Sequence, residues 1–154
     1  MVQLQVGDLA PEFIGKNQQG ELIRLSDFPG QKLVLYFYPK DSTPGCTLQA
    51  CNLRDSYKEL KKAGYEVLGI STDNAEMHQQ FIEKQRLPYN LICDEDRYIH
   101  EQYGTWVEKM LFGRKYWNTA RKTFVIDAEG RIEKIIDKVR LTNHAQQILG
   151  HRVI

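Results

Sequence analysis

The pattern of apolar and polar residues along the chain predicts alternating strands and helices. Leu33 to Tyr38 is wholly apolar or aromatic and rich in strand formers, which predicts a strand buried on both faces. A helix is predicted over Pro44 to Ala63, with Gly64 as its stop, and a second strand over Glu66 to Thr72. The other predicted elements are a helix that starts after Asp73 or Asn74 and ends before Pro88, a strand from Tyr89 to Cys93, and helices over Arg97 to Tyr103 and Asn143 to Leu149.

Two hairpins complete the predicted elements. One lies at the amino terminus around Lys16 to Gly20, and the other surrounds the turn Ala128 to Gly130. A strand–helix–strand unit requires parallel pairing with a right-handed crossover, whereas the later hairpin adds an antiparallel strand. The order therefore predicts an α/β, thioredoxin-like fold with a mixed central sheet flanked by helices and an N-terminal β-hairpin. Trp106 to Tyr116 has no clean periodicity and is predicted to be a loop.

Length and composition fit a single domain over residues 1–154. The net charge of +1 gives no general attraction to nucleic acid or to an anionic membrane. No apolar run approaches the ~20 residues of a membrane-spanning helix, and the amino terminus lacks the features of a secretory signal. The three cysteines are too few for a disulfide scaffold. We therefore expect a cytoplasmic protein with reduced thiols.

Two of the cysteines, Cys46 and Cys51, lie close together at the start of one predicted helix. Cys46 is in its first turn, where free backbone amides and the helix dipole favour the thiolate, the nucleophilic form of cysteine. Cα atoms five residues apart on a helix are separated by roughly 8 to 9 Å, and a disulfide allows about 7 Å. The two thiols can therefore bond only if the first turn unwinds. The apolar stripe of this helix is predicted to be Cys46, Ala50, Leu53, Tyr57 and Leu60.

The spacing Cys-x4-Cys helps to distinguish between possible functions of the two thiols. Cys-x-x-Cys would indicate a thioredoxin-type dithiol or half of a zinc site, and the histidines are too scattered to complete one. A disulfide reductase of the same fold stays open at this point, as does a non-enzymatic holdase or binding module with a structural thiol pair. Cys93 is expected to be a packed strand cysteine, and His100 and His144 to be surface or capping residues.

The residues before Cys46 resemble the active-site motif of the peroxiredoxins, Pro-x-x-x-Thr-x-x-Cys, with Pro39 and Thr43 in place. The surrounding sequence is similar to the bacterioferritin comigratory protein branch, also called peroxiredoxin Q. The resemblance covers nearly the whole chain. Its further motifs include Gly7-Asp8-x-Ala10-Pro11-x-Phe13, Gln49-Ala50-Cys51, Leu53-Arg54-Asp55, Asp94-Glu95-Asp96 and Arg121-x-Thr123-Phe124-Val125-Ile126-Asp127.

This resemblance implies a thiol-dependent peroxidase that reduces hydrogen peroxide and organic hydroperoxides. Cys46 would be the peroxidatic cysteine, whose thiolate attacks the peroxide and becomes a sulfenic acid. Cys51 would be the resolving cysteine, which attacks that sulfenic acid to give an intramolecular disulfide. A thioredoxin-like protein would reduce the disulfide. The resemblance implies no metal or organic cofactor, and a monomer is expected.

The same resemblance implies roles for four more residues. Thr43 would hydrogen-bond the thiolate and the peroxide, and its position also makes it a candidate helix N-cap. Pro39 would shield the sulfur from water, and proline also ends a strand. Arg121 would stabilise the thiolate and the charge that develops during O–O cleavage. Gln49, one turn after Cys46, would be a polar residue near the peroxide.

Overall fold

This computed structural model describes residues 3–150 of the chain. Within them are nine strands and five helices. None of these helices has the length and apolar character needed to cross a membrane. The strands are β1 (Ile14–Asn17), β2 (Leu22–Arg24), β3 (Lys32–Phe37), β4 (Tyr65–Ser71), β5 (Asn90–Cys93), β6 (Trp106–Leu111), β7 (Arg114–Thr119), β8 (Lys122–Ile126) and β9 (Ile132–Ile136). The helices are α1 (Pro44–Asp55), α2 (Tyr57–Lys62), α3 (Ala75–Gln85), α4 (Tyr98–Tyr103) and α5 (His144–Leu149), and Leu25–Asp27 is a short 3₁₀ turn.

Seven of the strands form one mixed sheet in the order β2-β1-β5-β4-β3-β8-β9. β3 pairs in parallel with β4, and β4 with β5, because the intervening helices carry the chain back to the other end of the sheet. β8 and β9 extend this sheet as antiparallel strands. The amino-terminal hairpin of β1 and β2 pairs with β5 at the opposite side. The predicted mixed sheet and N-terminal hairpin are both present.

Strand β3 lies inside the sheet and contributes to both layers of the core. Val34 and Tyr36 pack in the layer that includes α1, while Leu33, Leu35 and Phe37 pack in the other layer. This division follows from the alternation of side chains along a strand. All five side chains are at most 1% exposed. Burial on both faces explains why this stretch of sequence is apolar without interruption.

The predicted helix from Pro44 to Ala63 is wrong in one respect, because it consists of two helices divided at Ser56. Ser56 has φ −103° and ψ 10°, outside helical values. Its amide still bonds the Asn52 carbonyl at 3.2 Å, and the Leu60 amide bonds the Ser56 carbonyl at 2.9 Å. Serine competes for backbone hydrogen bonds and therefore favours helix ends over helix interiors.

The segment from Trp106 to Tyr116, predicted to be a loop, belongs to an antiparallel hairpin of β6 and β7. Its turn is Phe112–Gly113, and both residues have positive φ, 52° and 76°. Two-residue hairpin turns commonly need such a backbone and are usually marked by Asn-Gly. Phenylalanine at the first position conceals this signal. Most side chains of both strands are also at least partly exposed, so no alternation of apolar and polar residues marks them.

Candidate active site

Cys46 lies in the first turn of α1, where the chain enters the helix from the end of β3. Pro44 is the first helical residue, and Thr43 before it is extended, with φ −80° and ψ 154°. The Cys46 side chain is 1% exposed and belongs to the core layer of Ala50 and Leu53. Free amides in a first helical turn favour negative charge beside them. The predicted position of this sulfur, on the inner face at the start of a helix, is confirmed.

Arg121 directly precedes β8, and its guanidinium contacts two residues of α1. Nη2 donates to Cys46 Sγ at 3.4 Å, and Nη1 donates to Gln49 Oε1 at 2.7 Å. Residues 75 positions apart meet here because β8 pairs with β3, whose end leads into α1. A guanidinium in this position stabilises negative charge on the sulfur and on an oxygen beside it. The structure therefore brings together Cys46, Gln49 and Arg121, as the resemblance implies.

Gln49 is fully buried one turn after Cys46 and has one unpaired amide group. Its Oε1 accepts from Arg121, whereas Nε2 has no hydrogen-bond partner among the described residues. Leaving a buried donor unpaired costs roughly 1 to 3 kcal/mol, so such groups are rare in folded proteins. A donor of this kind beside a reactive sulfur is suited to bind an oxygen atom of an incoming molecule.

Gly45, the second residue of α1, lies beside the Arg121 guanidinium. A Cβ atom at this position would lie 3.4 Å from Arg121 Nη2 and 3.4 Å from Leu141 Cδ1, which is van der Waals contact. Residue 45 therefore packs directly against Arg121. Sequence reasoning assigned Gly45 no role, because its neighbours come from distant parts of the chain that the local motif does not show.

The hydroxyl of Thr43 is bonded to the loop before α1. Its Oγ1 donates to the carbonyl oxygen of Lys40 at 2.8 Å, and the side chain makes no capping bond to the helix. Thr43 thus occupies the predicted N-cap position, but the expectation that its hydroxyl caps the helix is wrong in this conformation. Pro39 is half-buried and lies two residues after β3, in agreement with its predicted place at the end of the strand.

Cys51 lies on a half-buried side of α1 that contacts α3. Its Sγ donates to Gln85 Oε1 at 3.4 Å, and Arg54 donates to the Gln85 carbonyl at 2.7 Å. Cys46 and Cys51 are both free, and α1 is helical throughout the segment between them. Because a disulfide needs Cα atoms closer than five residues of helix allow, the two sulfurs can bond only after part of α1 unwinds.

Cys93, at the end of β5, lies in a different electrostatic environment. It is half-buried, and its Sγ is 3.7 Å from the carbonyl oxygen of Asn17. Burial, followed by the negative charges of Glu95, Asp41 and Asp73, raises the pKa of this thiol to about 11. The Cys93 sulfur therefore keeps its proton near neutral pH. This agrees with the expectation of a packed strand cysteine.

Two buried aspartate–histidine pairs were missed by sequence reasoning. Asp41 Oδ2 lies 2.5 Å from His78 Nδ1, and Asp94 Oδ2 lies 2.6 Å from His100 Nδ1. All four side chains are at most 3% exposed. His100 and His144 were expected to be surface or capping residues, but both are fully buried. Burial lowers the pKa of His144 to about 4, so its ring is neutral at physiological pH.

The first of these pairs belongs to a group whose atoms are close enough to hold a metal ion. Ligand atoms of Asp41, Asp73 and His78 lie within 4.8 Å of one another. They are already bonded within the protein, however. Asp73 Oδ2 accepts from the Asp41 amide and from the Ser71 hydroxyl, and Asp41 is bonded to His78. The group is a complete hydrogen-bond network, and we assign no metal to it.

Known proteins share this arrangement of sequence and fold. Residues 6–135 match the model of the AhpC/TSA family. The chain is 49% identical over 150 residues to peroxiredoxin Bcp of Escherichia coli K12, which covers 97% of this chain and 96% of that protein. A PrxQ variant of Xylella fastidiosa superposes with a TM-score of 0.90 at 27% identity, covering 97% and 96% of the two chains. A structure concerned with the alkyl peroxide reduction activity of Xanthomonas campestris bacterioferritin comigratory protein has a TM-score of 0.85 at 32% identity, covering 90% and 88%.

Proposed function

We infer, from the premise that this chain belongs to the AhpC/TSA family and is a thiol-dependent peroxidase of the peroxiredoxin Bcp type, that Cys46 attacks the peroxide. The same comparisons confirm the predicted family and the thioredoxin-like fold. One observation carries the assignment of Cys46. Its sulfur is buried at the start of a helix and accepts a hydrogen bond from Arg121 Nη2 at 3.4 Å. The helix start and the guanidinium both favour the thiolate that the reaction requires.

The first chemical step forms one bond and breaks one. The thiolate of Cys46 attacks the terminal oxygen of the peroxide, the S–O bond forms, and the O–O bond breaks. The leaving alkoxide or hydroxide takes up a proton and departs as alcohol or water, while Cys46 becomes a sulfenic acid. During this step negative charge passes from sulfur to the leaving oxygen. Arg121 stabilises that charge from a position it already occupies beside the sulfur.

Three residues complete the proposed peroxide site. Gln49 donates its unpaired Nε2–H to a peroxide oxygen, which satisfies a buried group that otherwise has no partner among the described residues. Thr43 binds the peroxide with its hydroxyl, which exchanges its bond to the Lys40 carbonyl for one to the substrate. Pro39, half-buried at the start of the same loop, limits the access of water to the sulfur. These roles support both hydrogen peroxide and organic hydroperoxides as substrates, and the alkyl peroxide reduction activity named for the Xanthomonas relative supports the second class.

Cys51 resolves the sulfenic acid in the proposed cycle. Its thiolate attacks the Cys46 sulfur, an S–S bond forms, and the hydroxyl group leaves as water after taking up a proton. Because α1 separates the two sulfurs, its first turn must unwind for this step. Cys51 also gives up its hydrogen bond to Gln85. Peroxide attack therefore uses the helical form of α1, and resolution uses an unwound form.

The reductant expected of this family is a thioredoxin-type dithiol protein. One of its thiolates would attack the Cys46–Cys51 disulfide, and its second thiol would release the reduced enzyme. We further propose that the enzyme acts as a single-domain monomer in the cytoplasm and binds neither nucleic acid nor membrane. A net charge of +1 gives no general attraction to either polyanion. The free thiols suit a reducing compartment.

The test is peroxide consumption coupled to NADPH, thioredoxin reductase and thioredoxin. We expect turnover with the natural chain and none with Cys46→Ser. Cys51→Ser should still react once with peroxide and should accumulate a sulfenic acid that dimedone traps, since its resolving thiol is missing.

The alternative functions predict other results in the same set of reactions. A disulfide reductase would reduce insulin and leave peroxide unchanged, and a non-enzymatic holdase would turn over neither substrate. Peroxide turnover that survives in Cys46→Ser contradicts the assignment of the attacking sulfur. Absence of a trapped sulfenic acid in Cys51→Ser contradicts the assignment of the resolving sulfur.

A further inference from the structure

We propose that the buried pair of Asp41 and His78 is a positioning pair for the peroxide step. It holds the loop between β3 and α1, and through this loop it keeps the first turn of α1 in the geometry in which Cys46 meets Arg121. The proposal rests on the function proposed above for Cys46. It adds two residues that touch neither the substrate nor the reacting sulfur, and it assigns them an effect on the balance between peroxide attack and disulfide formation.

Asp41 is the fixed point of the loop. The hydroxyl of Tyr38 donates to Asp41 Oδ1 at 2.6 Å, and Asp41 Oδ2 lies 2.5 Å from His78 Nδ1. The Asp41 amide donates to Asp73 Oδ2 at 2.8 Å. Its side chain is therefore held by Tyr38, directly after β3, and by His78 of α3, and its main chain by the segment after β4. Lys40 and Ser42 on either side are exposed, so the hold on this loop is concentrated at Asp41.

His78 connects Asp41 to the main chain of β5. It lies in the first turns of α3, and its Nε2 is 3.0 Å from the carbonyl oxygen of Ile92 in β5. A carbonyl oxygen only accepts hydrogen bonds, so Nε2 carries a proton and donates it. One proton therefore lies between Nδ1 and Asp41 Oδ2. The ring is fixed at both nitrogens and bridges strand β5 to the loop.

The backbone of the loop between β3 and α1 is strained at Ser42. Ser42 has φ 63°, in the left-handed region that residues other than glycine rarely adopt, so the surrounding contacts have to hold it there. The Thr43 hydroxyl closes the loop onto the Lys40 carbonyl, and Pro44 begins the helix immediately afterwards. Only four residues separate Asp41 from Cys46. A shift of Asp41 is therefore passed directly to the first turn of α1.

The pair favours one of the two forms of α1 that the cycle needs. Peroxide attack uses the helical first turn, whereas the disulfide with Cys51 requires that turn to unwind. A loosened loop should therefore slow oxidation of Cys46 and speed formation of the disulfide. A general loss of stability has no reason to change the two steps in opposite directions, and this difference makes the proposal testable.

Two substitutions at His78 separate its two hydrogen bonds. In His78→Asn the amide nitrogen lies near the position of Nδ1, so it can donate to Asp41 but does not reach the Ile92 carbonyl. In His78→Gln the amide nitrogen lies near the position of Nε2, so it can donate to Ile92 but loses Asp41. The matched control is His100→Gln, which removes an equivalent bond, from His100 to Asp94, at a pair that contacts Thr119.

The measurements are the rate of peroxide consumption in a single turnover, the rate of disulfide formation, and the fraction of Cys46 converted to sulfinic acid at rising peroxide concentration. We expect His78→Gln to slow peroxide attack by about tenfold to a hundredfold, the effect of a small misplacement of a reacting group. It should also speed disulfide formation and lower the sulfinic acid fraction. His78→Asn should stay within about threefold of the natural chain, although it too loses one hydrogen bond. His100→Gln should lower the melting temperature without changing the ratio of the two rates.

Equal effects of His78→Asn and His78→Gln would overturn the proposal, as would an unchanged ratio of rates in His78→Gln. If His78→Gln does not fold, Tyr38→Phe removes the other side-chain bond to Asp41 while keeping the ring. It should change both rates in the same directions by a smaller factor, and unchanged rates would again overturn the proposal. These results are distinct from failure of the proposed function, which would appear as peroxide turnover in Cys46→Ser.

Discussion

Cys46 and Cys93 lie at the same edge of the sheet and differ in almost every physical respect. Both are at the carboxyl end of the parallel strands β3, β4 and β5. Cys46 is at the start of a helix and accepts a hydrogen bond from Arg121. Cys93 ends a strand and faces carboxylates, the nearest in sequence being Glu95. The comparison teaches that the more deeply buried of two thiols can be the one suited to react, when a guanidinium and a helix start lie beside it.

Burial alone would rank the two cysteines in the wrong order. Cys46 is 1% exposed, whereas Cys93 is half-buried, so exposure alone would favour Cys93 as the reactive thiol. At Cys46 the Arg121 guanidinium and the start of α1 lie beside the sulfur. At Cys93 the carboxylates act in the same direction as burial, and the pKa is raised to about 11.

The largest effect should come from removing the positive charge at Cys46. Arg121→Met keeps most of the side-chain volume and should lower kcat/KM for hydrogen peroxide by about 10² to 10³, the usual loss for one donor that stabilises developing charge. Arg121→Lys keeps the positive charge but not the forked guanidinium geometry. Its kcat/KM should lie between those of the natural chain and Arg121→Met. Stopped-flow measurement of peroxide consumption tests this order. A rate in Arg121→Met within a factor of two of the natural chain would contradict the comparison.

A smaller effect is expected at Gln49. Gln49→Met removes both the acceptor that orients Arg121 and the donor proposed to bind peroxide, while it preserves side-chain volume. The loss of hydrogen bonding should lower kcat/KM by about tenfold. Gln49→Glu restores the acceptor for Arg121 but not the donor, and it serves as the matched variant. Kinetics of Gln49→Glu equal to those of the natural chain would contradict the proposed role of the donor Nε2. Equal kinetics for Gln49→Met and Gln49→Glu would show that the acceptor for Arg121 contributes nothing.

The alkylation rate of Cys93 should increase with pH up to its raised pKa. In the double variant Cys46→Ser, Cys51→Ser, Cys93 is the remaining thiol, and the thiolate is the form that iodoacetamide alkylates. Between pH 7 and pH 10 the rate should rise about tenfold per unit and level off near pH 11. At pH 7 it should be about a hundredfold below that of free cysteine. A plateau below pH 9 would contradict the raised pKa.

The smallest effect is expected from a single carboxylate near Cys93. Glu95 is exposed, so solvent screens its charge, and burial is the larger cause of the raised pKa. Glu95→Gln should therefore increase the alkylation rate of Cys93 at pH 8 by only about twofold to fivefold. The increase should disappear in high salt. Peroxidase activity should be unchanged in this variant and in Cys93→Ser.

The elements that surround Cys46 could be predicted because local sequence determines them. The apolar run that forms β3 and the turn chemistry before Pro44 are complete within a dozen residues, and the observed strand and helix follow them. The contact of Arg121 with Cys46 was predicted only through the family resemblance. An arginine at a strand end is ordinarily solvated, and nothing in its own neighbourhood indicates a sulfur 75 residues away.

The errors arose where a usual local signal was missing or where residues from distant parts of the chain meet. The Phe112–Gly113 turn has the backbone of a tight hairpin without the usual asparagine, so β6 and β7 were missed. The pair of His78 and Asp41 was missed because residues 37 positions apart carry no joint signal in a single sequence. Asp94 and His100 are six positions apart, but nothing in their local sequence shows that both are buried. Sequence offered Thr43 as a helix N-cap or as a donor to the thiolate and the peroxide, and it did not show that the hydroxyl donates to the Lys40 carbonyl.

The one-residue break at Ser56 limits how far a structural change in α1 can travel. Helix formation is cooperative along an uninterrupted segment, so a helix of nineteen or twenty residues would tend to form and melt as a unit. Ser56 divides the segment into α1 with 12 residues and α2 with 6. Melting that starts at Cys46 therefore meets a boundary before Tyr57, and α2 stays docked through Leu60, which is fully buried. The oxidised protein should consequently lose far-UV helix signal from no more than the 12 residues of α1.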